Sequence, residues 1–233
     1  MSAKTATDAR QRRYWDKHSS SYDAEMRFWD RALFKDSRAW TCSRATGDTL
    51  EVAVGTGLNF SYYPAEARIT GVDFSPAMLE IARRRARELD RTVDLREADA
   101  HALPFPENSF DTAVCVFSLC SITDERRAVS EMKRVLRPGG HLLLADHVAS
   151  RFWFLRTPQW LLERITAPLQ GEHFLRRPLE VVQAEGFEIE AQERFKAGIV
   201  ERITARKPAP RDPARPRFHT PLGCSGRTPG TAL

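Results

Sequence analysis

The sequence predicts an α/β fold, a doubly wound and mostly parallel sheet of seven strands with helices on both faces. Three observations lead there. Leu50-Glu51-Val52-Ala53-Val54-Gly55-Thr56-Gly57 reads as a strand running into a tight glycine turn. Strand-like and helix-like segments then alternate along the chain, as in consecutive crossover units. Phe110 to Phe117 is nearly continuously apolar, which suits a strand buried on both faces of a parallel sheet.

Each element has its own signal. Tyr14 to Trp40 is aromatic and polar and reads as one or two helices ahead of the core. Strand 1 is Thr49 to Val54, and a short helix after Gly57 must stop before Pro64. Strand 2 is Arg68 to Val72. Ser75-Pro76 starts a helix, with Ser as N-cap and Pro at the first helical position. Met78, Leu79, Ala82, Ala86 and Leu89 give that helix an apolar face, and Arg83, Arg84, Arg85 and Arg87 give it a solvated one. Strand 3 is Thr92 to Glu97, followed by a Pro-rich loop from Ala98 to Ser109. The helix Asp124 to Leu136 ends at Arg137-Pro138-Gly139-Gly140, a stop signal, and His141 to Ala145 is strand 5. Arg151 to Arg177 breaks the rhythm as a helical insertion, with a helix starting at Thr157-Pro158. Pro178 to Glu185 is a further helix. Gly186-Phe187 enters strand 6, and Gly198 to Ala205 is strand 7.

The expected organisation is an N-terminal helical lid over residues 1–45, an α/β domain over 46–206 and a tail over 207–233. The tail spreads prolines among arginines and small residues and is expected to be disordered. The 233 residues are enough for one α/β domain, and 42% hydrophobic with 29% charged residues is ordinary for a globular chain. No apolar run approaches the roughly 20 residues that span a bilayer. The polar stretch Ser2 to Gln11 lacks a signal-peptide core, so the expected setting is cytoplasmic. Cys42, Cys115, Cys120 and Cys224 match neither a zinc nor a redox spacing, and no metal site is expected. The net charge of +5 comes without a recognisable nucleic-acid module, so no specific nucleic-acid partner is expected.

Taken in order, the motifs resemble the class I S-adenosylmethionine-dependent methyltransferases, small-molecule branch, over roughly Tyr14 to Lys207. They are Glu51 to Gly57, then Gly71-Val72-Asp73, Glu97-Ala98-Asp99-Ala100, Ser109-Phe110-Asp111 and Leu136 to Gly140. Ala53 stands where the family has its first glycine. Gly57-Leu58-Asn59-Phe60 with Tyr63-Pro64, and Ser118-Leu119-Cys120-Ser121, look closer to one subgroup: phospholipid N-methyltransferases, quinone C-methyltransferases and methyltransferase-like thiol S-methyltransferases. The resemblance implies a Rossmann-like fold, S-adenosyl-L-methionine as cofactor and a small, apolar or amphipathic methyl acceptor.

It also implies roles. Asp73, at the end of strand 2, accepts both ribose hydroxyls; the plain alternative is a helix-capping Asp. Gly55 and Gly57 let the backbone come close to the cofactor, or simply make a tight turn. Glu51 organises that turn and attracts the cofactor's amino group, or only caps a strand. Asp99 takes the adenine amino group and the Ala100 backbone the ring nitrogen, against an Asx turn. Phe74 and Phe117 complete the cofactor-binding set. Tyr14 and Tyr22 stand at the lid position, or are simple helix packing.

Methyl transfer is in-line displacement, so alignment in a water-poor site is the main task. A base is optional for a thiol or amine. His147 and His173 are the candidate catalytic bases, and each is also read as an ordinary histidine. Arg151-Phe152-Trp153-Phe154-Leu155-Arg156 and Trp160-Leu161-Leu162 interleave aromatic and basic residues. They read as a lid over an apolar acceptor, with peripheral membrane contact as a further option, or as an insertion packed on the core.

Two rival functions remain open. A nucleic-acid methyltransferase fits the pI of about 9.2, but Ser118-Leu119-Cys120-Ser121 stands where such enzymes carry Asn-Pro-Pro-Tyr. A degenerate, partner-binding methyltransferase fold is favoured by Ala53 alone. A dinucleotide dehydrogenase is disfavoured by Phe60 at the third glycine position.

Overall fold

Leu142 and Leu144 point to one face of their strand and Leu143 and Ala145 to the other, and all four are buried. That period of two builds two cores, one on each side of a single seven-stranded sheet. The computed structural model describes residues 3–209, and the greater part of the expected tail, 210–233, lies outside the described residues.

The strands are β1 (Asp48–Val52), β2 (Arg68–Asp73), β3 (Val93–Glu97), β4 (Phe110–Val116), β5 (Leu136–His147), β6 (Glu188–Phe195) and β7 (Val200–Arg206), in the order β3-β2-β1-β4-β5-β7-β6. β1 to β5 run parallel, and β7 is antiparallel to both β5 and β6. The helices are α1 (Ala3–Trp29), α2 (Ser37–Cys42), α3 (Pro76–Glu88), α4 (Glu125–Val135), α5 (Trp153–Gln170) and α6 (Pro178–Ala184). A π-helical turn, Asp30–Phe34, joins α1 to α2.

One core lies under α4 and α6 and contains Leu50, Val52, Met132, Leu142, Leu144 and Ile203. The other holds Ile69, Leu79, Val114, Val116, Leu143 and Cys42. Ser75 caps α3 as its sequence predicts, its hydroxyl accepting from Met78 N at 3.2 Å with Pro76 inside the first turn.

Some boundaries differ from expectation. Arg137-Pro138-Gly139-Gly140 does not separate α4 from a later strand. It already belongs to β5, because Leu136 pairs with Phe110 across a register irregularity and Gly139 takes φ +82°. Between Gly57 and Pro64 there is only a short 3₁₀ turn, Phe60–Tyr62. α5 begins at Trp153 and carries Pro158 inside it. Arg85 is not on a solvated face: it donates to Thr56 O at 2.8 Å and pairs with Asp23. Lys207, taken as the start of the tail, exchanges backbone hydrogen bonds of 2.8 Å with Gly139 and Gly140.

Candidate functional site

The strand order reverses between β1 and β4, and the carboxyl ends of these strands part there to leave a crevice, the usual ligand position in an open α/β sheet. A cavity of about 440 Å³ occupies it, within the range of small-molecule sites. From the residues expected to bind a cofactor it gathers Ala53, Asp73, Phe74, Asp99 and Ala100. An adjoining space of about 50 Å³ adds Tyr22, Gly55 and Phe117, with Trp15, Ser118 and Ser121.

Asp73 ends β2 and is buried. Its Oδ2 accepts from Gly55 N at 2.8 Å and its Oδ1 from Ser75 N at 2.9 Å. Burial pushes its carboxyl up to about 6 despite these backbone donors. Each oxygen keeps a lone pair for a ligand hydroxyl. The Asp thus supports the loop and faces the cavity at once.

The two glycines differ. Gly55 has φ +56°, and a Cβ there would meet nothing closer than Tyr22 Cε1 at 4.0 Å, so its open side belongs to the ligand space. Gly57 lines neither space. At φ +78° a Cβ would fall 2.4 Å from the Phe60 ring, so this glycine answers to core packing rather than to close approach of a cofactor. Ala53 carries φ +56° with a side chain, a conformation that costs an L residue about 1–2 kcal/mol. Phe117 is also left-handed, φ +52°. It stacks on Phe34 at 3.8 Å, with Arg38 above it at 5.2 Å.

Glu51 stands beneath the turn and lines neither space. It accepts from Asn59 Nδ2 at 2.7 Å and from the Tyr63 hydroxyl at 2.9 Å. Burial outweighs both bonds and raises its carboxyl to about 7. Its geometry fits the turn-organising role. Arg38, also buried, gives Nη1 to Asn59 Oδ1 at 2.9 Å and Nε to both Asp30 oxygens, while its Nη2 has no hydrogen-bond partner.

α1 is laced across the mouth of the crevice. Asp16 accepts from Ser75 Oγ at 2.6 Å, Asp23 from Thr56 Oγ1 at 2.6 Å, and Arg12 pairs with Glu97 at 2.6 Å. Gln11 donates to Ser121 O and accepts from Thr123 Oγ1. Sequence reasoning missed these polar ties, which are spread from Gln11 to Asp23 along one long helix and carry no motif. Of the two lid tyrosines, only Tyr22 lines the site, with its phenol pushed up to about 12 by burial. Tyr14 stacks on His18 at 3.9 Å instead.

Asp99 is largely exposed. It accepts from His101 N at 2.8 Å, so the Asx turn is present, and its Oδ1 lies 2.6 Å from His101 Nδ1. His101 Nε2 faces Asp124 N at 3.1 Å and must accept there. That places the neutral ring's proton on Nδ1, donated to Asp99. His101, absent from the sequence-based set, lines the cavity.

The two candidate bases line neither space. His173 pairs through Nδ1 with Glu163 at 3.0 Å, half-exposed. His147 is buried against Phe174 at 4.6 Å. Burial lowers its pKa, and its Nδ1 has no hydrogen-bond partner. Cys120, Asp146 and His147 bring one ligand atom each within 4.8 Å of one another, which makes them a cation-capable group among the described residues. No metal spacing announces it, because the fold, not local sequence, brings Cys120 to the end of β5. Both Asp146 oxygens already accept backbone donors, Cys120 N and His147 N, at 2.8 Å.

The insertion does not close over the cavity as an apolar lid. Trp153, Phe154, Trp160, Leu161, Leu162 and Ile165 of α5 point to solvent. Among the described residues no helix is long and apolar enough to cross a membrane.

Comparison with known proteins agrees with this architecture. Residues 50–144 match the family described as a methyltransferase domain. The chain is 43% identical over 105 residues to a phosphatidylethanolamine N-methyltransferase of Cereibacter sphaeroides, covering 44% of this chain and 52% of that protein. It is 36% identical over 129 residues to a demethylmenaquinone methyltransferase of Thermus thermophilus, covering 54% and 56%. It is 32% identical over 153 residues to the human thiol S-methyltransferase TMT1A, covering 60% and 62%. The chain thus spans about half the length of the curated relatives it matches. Among solved structures, the [4+2]-cyclase SpnF superposes with TM-score 0.63 at 25% identity, over 76% of this chain and 80% of that one. A SAM-dependent methyltransferase of Methanosarcina mazei superposes with TM-score 0.56 at 25% identity, over 70% and 93%. Residues 50–144 thus match the methyltransferase-domain family, within a chain that has the Rossmann-like class I methyltransferase fold.

Proposed function

We propose that this chain is an S-adenosylmethionine-dependent methyltransferase acting on a small, apolar or amphipathic acceptor. The observation that carries the reading is Asp73. It sits at the switch point, is fixed by Gly55 N and Ser75 N, and retains acceptor capacity toward a cavity of about 440 Å³. Asp73, Asp99 and Glu97 line that cavity with carboxyl groups, which suit ribose hydroxyls, an adenine amino group and a cationic ligand better than a pyrophosphate. The residues present therefore fit the cofactor.

In this reading Asp73 accepts the ribose hydroxyls, Asp99 and the Ala100 backbone take the base, and Gly55 leaves room for the amino-acid end. Arg38, packed over Phe117, has an Nη2 hydrogen bond to give to a carboxylate. S-adenosylmethionine, when bound, supplies a methyl carbon on a positively charged sulfur, open to in-line attack by an acceptor lone pair. Trp15, Tyr22 and Phe117 line the smaller space with rings, and holding the acceptor in line there is the chief catalytic contribution. The free, buried Cys42, Cys115 and Cys120 go with a reducing, cytoplasmic setting.

The relatives' names span a phospholipid amine, a quinone ring and thiols, and the acceptor screen follows from them. The protein is incubated with methyl-labelled S-adenosylmethionine and, separately, thiols, amines, quinols and phospholipids. Label transfer to one class, lost in Asp73→Ala, supports the reading. No transfer to any class, with cofactor binding intact, favours the partner-binding alternative.

A further inference from the structure

Helix α5 is inside out. Among its described side chains, those buried against the body are Gln159 and Thr166, both polar. Gln159 is spent on the backbone, accepting from Ser150 N at 2.8 Å and donating to Val148 O at 2.9 Å. Thr166 donates to Leu162 O or Glu172 O. The large apolar side chains go the other way, with Trp153 at 78%, Leu161 at 59%, Ile165 at 57% and Phe154 at 55% exposure. A helix on a globular surface buries its apolar stripe and exposes its polar one, and an apolar face of this extent marks an interaction surface. At 1.5 Å rise per residue the face from Trp153 to Ile165 is about 18 Å long.

Charge selects the occupant. The outward cations of the segment are Arg151, Arg156 and Arg164, with Arg164 lying 5.0 Å over the Trp160 ring. The one acid of the helix, Glu163, is turned inward. It pairs with His173 Nδ1 at 3.0 Å and accepts from Phe174 N and Leu175 N at 2.9 Å. The exposed face therefore combines tryptophan, phenylalanine, leucine and arginine with no outward carboxylate. That is the composition of a helix lying in the plane of a membrane interface, with rings at headgroup depth and guanidinium groups reaching lipid phosphates.

We propose that α5 docks this protein on the surface of an anionic lipid bilayer, with Trp153, Phe154, Leu161 and Ile165 in the acyl boundary and Arg151 and Arg164 on the headgroups. The inference does not depend on methyl transfer, and its test uses neither cofactor nor acceptor.

The full chain is sedimented with vesicles of phosphatidylcholine alone and of phosphatidylcholine mixed with phosphatidylglycerol, while tryptophan emission is followed. The expected result is co-sedimentation and a blue shift with the mixed vesicles, weakened by salt. Trp153→Asp/Leu161→Asp is expected to lower the partition at least about tenfold with an unchanged thermal melt, since both side chains are exposed. Arg151→Gln/Arg164→Gln is expected to lower it roughly tenfold and to flatten the salt dependence. Wild-type protein that stays in the supernatant with both vesicles overturns the proposal, as does equal binding to neutral and anionic vesicles. A dimer by light scattering that Leu161→Asp abolishes, without vesicle binding, overturns it in favour of a second copy of the chain on this face.

Discussion

Asp73 Oδ2 accepts from Gly55 N at 2.8 Å. The end of β2 therefore holds the turn that follows β1, and one carboxylate sets the shape of the crevice while lining it. A carboxylate so placed contributes about 1.5–3 kcal/mol per hydrogen bond to a ligand, which makes the site sensitive to a few named positions.

Gly57→Ala is expected to destabilise the fold by more than 2 kcal/mol, on the order of a core overpacking plus a left-handed penalty. The Phe60 ring is fully buried and cannot step aside from a Cβ at 2.4 Å. Urea denaturation measures it, and a cost near zero would place the glycine's importance elsewhere.

Ala53→Gly is expected to stabilise by up to about 1 kcal/mol, because φ +56° is free for glycine and strained for alanine, less the entropy glycine brings to the unfolded chain. The urea midpoint should rise without a change in slope. A fall would mean that the Ala53 methyl, which lines the cavity, makes packing that outweighs its backbone strain.

Glu51 holds its proton up to about pH 7 in the folded state, against an ordinary value of 4.5, because burial penalises the carboxylate. The folded chain binds that proton more tightly than the unfolded one. The resulting stability is complete below pH 4.5 and is lost as pH rises through 7. Asp73, raised to about 6 by burial, acts in the same direction. The wild type is therefore expected to lose stability between about pH 4 and pH 7. Glu51→Gln should show a shallower decline in denaturation midpoints, and parallel profiles would remove Glu51 from the account.

Asp23→Ala should loosen α1. It removes the acceptor shared by Thr56 Oγ1 and Arg85, two groups on the far side of the crevice. Hydrogen exchange is expected to quicken in α1 while β4 and β5 stay protected. Uniform exchange across the sheet would show that α1 is part of the global unit rather than a separable cover.

Much of this was legible in the sequence because local chemistry and tertiary position coincided. Ser75-Pro76 announced α3, and the motifs from Glu51 to Ala100 placed Ala53, Asp73, Phe74, Asp99 and Ala100 on one cavity. The reading failed where long-range packing decided. Arg137 to Gly140 carry a stop signal, yet pairing with β4 draws them into β5. Gly57 looked like a cofactor glycine and serves Phe60. His101 gave no motif, since its role depends on Asp99 and Asp124 meeting across a loop. The aromatic stripe of α5 read as a lid because sequence periodicity does not say which face of a helix meets the core.

Isothermal titration of S-adenosylhomocysteine into the wild type and Asp73→Ala tests the central claim most directly. The wild type is expected to bind with a dissociation constant on the order of micromolar, and the variant at least about tenfold more weakly. No heat with folded wild-type protein, or equal affinity in the two proteins, would contradict it.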